Sequence, residues 1–218
     1  MKYEYINFRP YVGEKYFSEG FHGKRLLVLG ESHYCTKELK EGGRCFPICR
    51  AENMLEDCHS QTEDVIDAFI YNYDGSRYQQ TFLCFERALA GKILTQEERE
   101  DLWSRFVFYN YVQFCQPGPR LPIADEYWAP SEKAFKELLE VYLPDYIIIW
   151  GNRLYANLPD WNGEHSVLTA DGMSTDVWTY EINGKRIPAI RVHHPSTPSG
   201  KAWDSWHELY KAFMKLSE

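Results

Sequence analysis

The chain has 218 residues, a length that predicts one domain spanning 1–218 with a core that needs no disulfide staples. Its formal net charge of −8 argues against a large phosphate-binding face, because affinity for duplex DNA comes mainly from Lys and Arg. The N-terminal MKYEYINFRP lacks a signal-peptide core, and no apolar run approaches the roughly 18 residues of a membrane span. We therefore expect a cytoplasmic protein with no membrane partner.

Four apolar runs predict strands, and each stops at polar residues. The first run, Leu26–Leu29, ends in Gly-Glu-Ser-His-Tyr, and the others cover 105–109, 146–150 and 187–192. Continuous apolar runs are typical of strands buried on both faces, which belong to parallel sheets. The sequence therefore predicts an α/β fold with a four-stranded parallel sheet.

Apolar residues at helical spacing predict helices between the first and second runs, before the third run and at the end of the chain. Capping boxes are predicted at Ser60–Glu63 and Thr95–Glu98. Ser131 is predicted to cap the helix that Pro144 ends.

The stretch before the last run is predicted to be irregular over 154–175. Asn183-Gly184 then predicts a β-hairpin whose second arm leads into the last parallel strand. A local basic rim around this run, from Lys185, Arg186, Arg191 and Lys201, is one interpretation, and scattered surface cations are the other.

Polar residues that follow the four runs should meet, because ligands of open parallel sheets bind outside the carboxyl ends of the strands. The residues that this rule brings together are Glu31, Ser32, Asn110, Asn152 and His194. We expect them to line one cleft.

The same strand ends resemble the uracil-DNA glycosylase superfamily. Gly30–Tyr34 stands where that family commonly has Gly-Gln-Asp-Pro-Tyr or Gly-Glu-Ala-Pro-Gly, and Phe108–Val112 resembles the end of its second strand, with a base-reading asparagine. Ile149–Asn152 is similar to its Trp-Gly motif, and His194–Thr197 to its final His-Pro-Ser-Pro. The resemblance implies a three-layer α/β/α sandwich around a central four-stranded parallel sheet.

The resemblance also implies roles for five residues. His194 would donate a hydrogen bond to the base oxygen as negative charge develops there, and a structural histidine is the alternative. Asn110 would pair with the N–H and C=O of a pyrimidine edge, unless it only caps a turn. Tyr34 matches the aromatic residue beside C5 of the base that rejects thymine, or else lies in the core. Gly30 and Ser196 complete the base-binding set.

Within the first motif Ser32 and His33 depart from the family pattern, whereas Glu31 matches the acidic residue of Gly-Glu-Ala-Pro-Gly. Ser32 stands where the water-activating aspartate falls, and an alcohol is no base at neutral pH without help. Glu31 could stabilise the cationic sugar or orient water, and a solvated or salt-bridged carboxylate is the alternative. His33 replaces a proline and could carry a second imidazole into the cleft, whereas His193 is expected to face packing or solvent.

The final motif and the cysteines also differ from those of well-known relatives. Residues 197–200 lack a leucine wedge, which favours single strands, free nucleotides or another ligand, since flipping a base costs unstacking energy. Four of the six cysteines are clustered in the segment directly after the first motif: Cys35, Cys45, Cys49 and Cys58. Because they form no C-x-x-C pair, we expect reduced thiols without a metal or cofactor, and zinc held with His33 or His59 is the alternative.

The leading hypothesis is a glycosylase-like hydrolase that cleaves the N-glycosidic bond of uracil or another altered base in DNA or a nucleotide. Its catalytic residues would be Glu31, Ser32 and His194, and no protein partner is predicted. The alternatives are a catalytically silent member of the same fold that binds nucleobases or nucleic acid, and a metal-carrying redox or regulatory protein. The residues leave the base and its strandedness open.

Overall fold

The computed structural model describes residues 3–34, 54–116, 118, 121–198, 200 and 202–215. Within these ranges one mixed sheet contains the strands β1 (Tyr11–Val12), β2 (Leu26–Gly30), β3 (Phe106–Asn110), β4 (Tyr146–Trp150), β5 (Glu164–Ala170), β6 (Met173–Ile182) and β7 (Lys185–Val192). The helices are α1 (Gln61–Tyr71), α2 (Gln79–Ala90), α3 (Gln96–Trp103), α4 (Trp128–Tyr142), α5 (Asn152–Ala156) and α6 (Trp203–Met214). The spatial order of the strands is β1-β3-β2-β4-β7-β6-β5.

The four apolar runs form the centre of the sheet as neighbouring parallel strands. Gly30 on β2 lies opposite Asn110 on β3, and Trp150 on β4 lies opposite Val192 on β7. The strand ends are therefore level with one another at one edge of the sheet. This parallel pairing is as predicted.

The prediction that the sheet would have only four parallel strands is wrong. β1 pairs antiparallel with β3 at one side, and β6 and β5 continue the sheet antiparallel beyond β7. The expectation of irregular structure over 154–175 missed β5, whose residues are mostly exposed and polar. An edge strand of this kind forms through backbone hydrogen bonds to its neighbour and needs no apolar run.

The predicted hairpin joins β6 to β7. Asn183 and Gly184 both have positive φ, 51° and 76°, between the paired residues Ile182 and Lys185. A two-residue turn of this kind matches the twist of its two strands and favours Asn-Gly. The prediction of the hairpin is confirmed.

Of the three predicted helix caps, one is present and two are not. Thr95 and Glu98 form the predicted capping box at the start of α3. Ser60 makes no capping hydrogen bond to α1, because its hydroxyl donates to the Asp64 side chain. Ser131 lies inside α4, where its hydroxyl donates to the Tyr127 carbonyl.

No helix in the described ranges is both long and apolar enough to cross a membrane.

Helices pack on both faces of the sheet. One apolar cluster joins Val28, Phe108 and Trp150 to residues of α1, α2, α3 and α6. The other joins Leu29 and Ile149 to residues of α4 and α5. Since neighbouring residues of a strand point to opposite faces, the two clusters define which side chains reach each face at the strand ends.

Candidate functional site

The end of β2 has room for the Asn110 side chain only because residue 30 is glycine. A Cβ atom on Gly30 would lie 2.3 Å from Asn110 Oδ1 and 3.0 Å from Phe108 Cζ. The Tyr111 N–H donates to the Gly30 carbonyl over 2.9 Å, and the Val112 N–H donates to the Glu31 carbonyl over 2.8 Å. These bonds continue the parallel pairing past the strands, so the Asn110 amide lies against the last residue of β2.

The end of β4 carries a second close approach, between Gly151 and His194. Gly151 has a φ of 101°, and a Cβ atom there would lie 3.6 Å from the Cβ of His194. The His194 ring meets the Trp150 indole edge to face, with centroids 5.8 Å apart. The strand ends of β4 and β7 therefore hold the imidazole from two sides.

The protonation state of His194 follows from its hydrogen bonds to Ser196. The Ser196 backbone N–H donates to Nδ1 over 3.2 Å, and the Ser196 hydroxyl lies 2.8 Å from the same atom. A backbone N–H can only donate, so Nδ1 is an acceptor and the ring proton belongs on Nε2. His194 is thereby organised as a neutral imidazole that donates through Nε2.

Asn110 and His194 face the same side of the sheet edge. Phe108, Trp150 and Val192 belong to one apolar cluster, and residues two positions further along each strand continue on that face. β2 and β4 separate β3 from β7, so their backbones lie about 14 Å apart, at three strand spacings.

Trp150, the last residue of β4, presents an aromatic surface to the His194 ring, and we call this surface the aromatic floor. It is 3% exposed and packs against the rings of Phe82, Phe85 and Phe108. Its indole Nε1 is buried and has no hydrogen-bond partner among the described residues. An aromatic floor with one unsatisfied donor suits a flat heterocycle with acceptor atoms.

Glu31 points to the other face of the sheet edge and forms an ion pair. Arg153, on α5, binds both carboxylate oxygens of Glu31, with Nε to Oε2 at 2.8 Å, and its Nη1 donates to the Leu121 carbonyl over 2.7 Å. The Glu31 side chain is only 13% exposed, and the nearby carboxylate raises the pKa of Arg153. Glu31 is therefore a salt-bridged carboxylate and not a solvated one.

Ser32 and Tyr34 lie together in the segment that follows β2. The Ser32 hydroxyl donates to the Tyr34 hydroxyl over 3.3 Å, and within the described residues it forms no hydrogen bond to a carboxylate or imidazole. Tyr34 is 44% exposed, so its ring is not part of the core. Gln61, at the start of α1, donates to the Tyr34 carbonyl over 2.8 Å and steadies the end of this loop.

His33 does not enter the cleft, contrary to the expectation for a second imidazole. Its ring stacks on Phe8 with centroids 4.0 Å apart, and Nε2 lies 2.7 Å from the Thr62 hydroxyl. Burial lowers the pKa of His33 to about 3, which keeps the ring neutral. His193 packs against Trp206 with ring centroids 5.4 Å apart, as expected for a residue on the opposite side of the chain.

Part of the cysteine segment lies outside the described residues, including Cys35, Cys45 and Cys49. Cys58 and Cys115 are buried beside Phe8 in a small apolar cluster. Within the part of the chain that the structure describes, no three His, Cys, Asp or Glu side chains form a group that could hold a metal.

Two residues that the sequence reasoning did not select organise this edge. One is Arg153, which joins the loop after β2 to α5 and to residue 121. The other is the buried Gln113, which donates to the Asn110 carbonyl over 3.0 Å while its Oε1 accepts the Asn7 N–H over 2.8 Å. A polar residue inside an otherwise apolar segment is the signal that could have identified Gln113.

A separate groove of about 840 Å³ is bordered by α2, α3 and α6, and it includes none of the predicted site residues. Its charged lining residues are ion-paired, as with Lys92 and Glu98 at 2.5 Å and Arg105 and Asp101 at 2.9 Å. His207 Nδ1 donates to the Ala88 carbonyl over 3.0 Å. We assign no chemistry to this groove.

No model of a known protein family matches the chain, and no curated protein matches it significantly. The residues at the carboxyl ends of the strands are therefore what indicates the class of protein. At one edge of the mixed sheet these ends bring the Asn110 amide against Gly30, the His194 imidazole against Trp150, and Glu31 into an ion pair with Arg153.

Proposed function

We propose that the chain is a uracil-DNA glycosylase-like hydrolase, which cleaves the N-glycosidic bond of uracil or another altered base in DNA or a nucleotide. What supports the proposal is that Asn110 ends β3 and His194 follows β7 at the same edge of the sheet, with the His194 ring against the Trp150 indole. Apolar clusters on both faces of the sheet support the three-layer α/β/α arrangement that this class implies.

The leaving group is where His194 acts. When the N-glycosidic bond breaks, its electron pair stays on the base, and negative charge develops on the base oxygens. The Nε2–H of a neutral imidazole, oriented by Ser196, stabilises that charge without giving up its proton. Because the hydrogen bonds to Nδ1 exist before the base arrives, little reorganisation is needed during the reaction.

The base is selected by Asn110. Its side-chain amide offers one donor and one acceptor, which match the N–H and C=O of a pyrimidine edge. Gly30 leaves room for this amide, and Gln113 holds the Asn110 backbone by donating to its carbonyl. Tyr34 borders the pocket from the exposed side and limits the size of the base.

Attack of water on the sugar is the step that involves Ser32 and Glu31. A water molecule attacks the anomeric carbon as the base departs, and its proton passes to solvent. The Ser32 hydroxyl orients this water, and the Glu31 carboxylate favours positive charge on the sugar from a longer distance. Because Arg153 neutralises Glu31, this contribution is weak, and stabilisation of the leaving group must provide most of the catalysis.

The same ion pair favours a second candidate, a catalytically silent protein that binds a nucleobase or nucleic acid. It would use Asn110, His194 and Trp150 for recognition and would lack an effective base for water. A binding protein needs no group that activates water. The pairing of Glu31 with Arg153 and the hydrogen bond from Ser32 to the Tyr34 hydroxyl agree with that role.

Release of free base from uracil, hypoxanthine and xanthine substrates tests the proposal. Each base should be offered as nucleoside, single strand and duplex, with chromatographic detection of the released base. We expect turnover that His194→Ala abolishes. Thermal stabilisation by a base without turnover would support the binding protein, and the absence of both would refute the shared pocket.

A further inference from the structure

The arginines at the edge of the cleft are already neutralised. Arg153 binds the Glu31 carboxylate with two nitrogens, and Arg191 binds Asp176 Oδ2 over 2.9 Å and the Asn152 side chain over 2.8 Å. A DNA-binding site needs Lys or Arg that can exchange counterions for phosphates. These two guanidinium groups would have to break existing pairs to do so.

The basic rim considered from the sequence is also paired where the structure describes it. Lys185 Nζ lies 2.7 Å from Asp145, and Arg186 Nη2 lies 2.5 Å from Glu164. Lys201, the remaining member, lies outside the described residues. The described part of the rim therefore carries little net positive charge.

The loop after β7 uses its hydrogen-bond donors internally. The Ser196 N–H and hydroxyl bond to His194 Nδ1, while the Thr197 N–H and hydroxyl donate to the His194 carbonyl over 2.9 Å and 2.7 Å. The Gly200 N–H donates to the Thr197 hydroxyl over 3.1 Å. Backbone N–H groups and small hydroxyls are common phosphate contacts in DNA complexes, and here five of them are committed.

The same loop is folded too tightly to serve as a wedge. A Cβ atom on Gly200 would lie 2.2 Å from the His194 carbonyl oxygen, so the chain turns back directly onto the strand end. The described part of this turn presents Thr197 and Pro198 and no long apolar side chain. Opening a duplex costs unstacking energy, and nothing in this turn compensates for it.

Charge over the whole sequence points the same way. The net charge is −8, with 32 Asp and Glu against 24 Lys and Arg. A polyanion would approach the cleft against the field of the protein. A ligand with one phosphate, or none, avoids that repulsion.

We propose that the physiological ligand is a base carried by a free nucleoside or mononucleotide and not by a DNA strand. This inference rests on the proposed function, because it concerns the same pocket. Recognition then depends on the base edge and the aromatic floor, and the sugar remains near the solvent-exposed Ser32 and Tyr34.

The experiment compares one base in four carriers: 2′-deoxyuridine, its 5′-monophosphate, a single-stranded oligonucleotide with one uracil, and the same strand in a duplex. Hypoxanthine and xanthine carriers are tested in parallel. Full-length protein is assayed for kcat/KM of base release and, where no base is released, for Kd by calorimetry. Asn110→Ala serves to tie each signal to the pocket.

We expect the nucleoside or its monophosphate to be favoured over the duplex by at least ~10-fold, with little dependence on salt. A site that makes about four phosphate contacts would instead lose roughly 100-fold of its duplex affinity between about 50 and 200 mM salt. Equal or better use of either oligonucleotide, with that salt dependence, would overturn the inference and leave the proposed function intact. No turnover and no binding of any carrier would overturn both.

Discussion

The two sides of the cleft differ in how completely they are prepared for chemistry. On the side of Asn110 and His194, the Asn110 amide lies against Gly30 and the His194 Nδ1 atom accepts hydrogen bonds from Ser196. On the side of Glu31, the carboxylate is turned to the opposite face and neutralised by Arg153. The first side therefore retains groups for the base recognition that we propose, whereas the carboxylate proposed to act on water is already paired.

This difference shows why a motif has to be considered together with its neighbours. Gly30 and Glu31 are adjacent in sequence and both occur in the resemblance to the glycosylases. Alternation along an extended chain sends neighbouring side chains to opposite faces, so only one face can contribute to the base pocket. An arginine 122 residues away then determines what the carboxylate on the other face does.

The largest effect is expected from a substitution of His194. Replacing it with alanine removes the donor to the leaving base, and we expect kcat to fall about 100- to 1000-fold, as for loss of an oxyanion-hole donor. Base-release assays on the best carrier measure this. His193→Ala is the matched control and should keep kcat within about twofold, because His193 packs against Trp206. Comparable losses in both variants would contradict the special role of His194.

Gly30→Ala tests whether the amide is oriented by close packing. The new Cβ atom would lie 2.3 Å from Asn110 Oδ1, so the amide must leave its position. We expect binding of the free base to weaken roughly 10- to 100-fold, the cost of losing one bidentate contact to a base, with little loss of fold. Gly118→Ala is the control, since its Cβ atom would meet only Leu121 Cδ1 at 4.0 Å. Calorimetric titration with free base would distinguish them.

His33 is buried and anchors the segment after β2. Its contribution to the free energy of unfolding should become visible as the pH falls. Burial lowers its pKa to about 3 from an unfolded value near 6.5, so below about pH 6.5 the unfolded chain binds the extra proton. Stability contributed by the neutral ring is therefore present at neutral pH and is lost as the pH falls from about 6.5 towards 3. We expect the free energy of unfolding to drop by roughly 2 kcal/mol from this group between about pH 7 and 5.

The control for that measurement is His33→Gln, which keeps a polar side chain but no group that titrates in this range. Denaturant unfolding at several pH values should give a smaller acid loss for the variant than for the wild type. Parallel pH profiles for the two proteins would show that His33 is accessible to protons in the folded state.

The smallest expected effect concerns the pair of Glu31 and Arg153, and it tests what Glu31 contributes to the proposed hydrolase. Because Arg153 is 40% exposed, we expect a coupling energy of at most about 1 kcal/mol in a double-mutant cycle with Glu31→Gln and Arg153→Met. In the hydrolase version Glu31→Gln also lowers kcat by roughly tenfold while base affinity is unchanged. A variant that retains full kcat would assign Glu31 to structure alone.

Much of the central sheet could be predicted because its signals are local. Runs such as Leu26–Leu29 and 146–150 are apolar throughout, and a strand that is buried on both faces needs no information from elsewhere. Asn183-Gly184 and the capping box at Thr95 are equally local, since they satisfy turn and helix-end requirements within a few residues. By contrast, β5 is polar and exposed, and its own residues give no apolar pattern.

The candidate site was predictable in its members but not in their orientations. Asn110 and His194 could be selected because each follows an apolar run at the carboxyl end of a strand. The burial of His33 against Phe8 could not, because the contact joins a loop to the N-terminal segment. The engagement of Glu31 by Arg153 also joins two distant loops.

The sequence by itself determined the four parallel strands, the hairpin and the polar residues that end each strand. These depend on hydrophobic burial and backbone preference, which act over a few neighbouring residues. Only the tertiary structure decided which polar side chains face one another, which carboxylate is neutralised and which imidazole is buried. Those outcomes depend on distances between segments far apart in the chain, and electrostatic and steric energies are set by such distances.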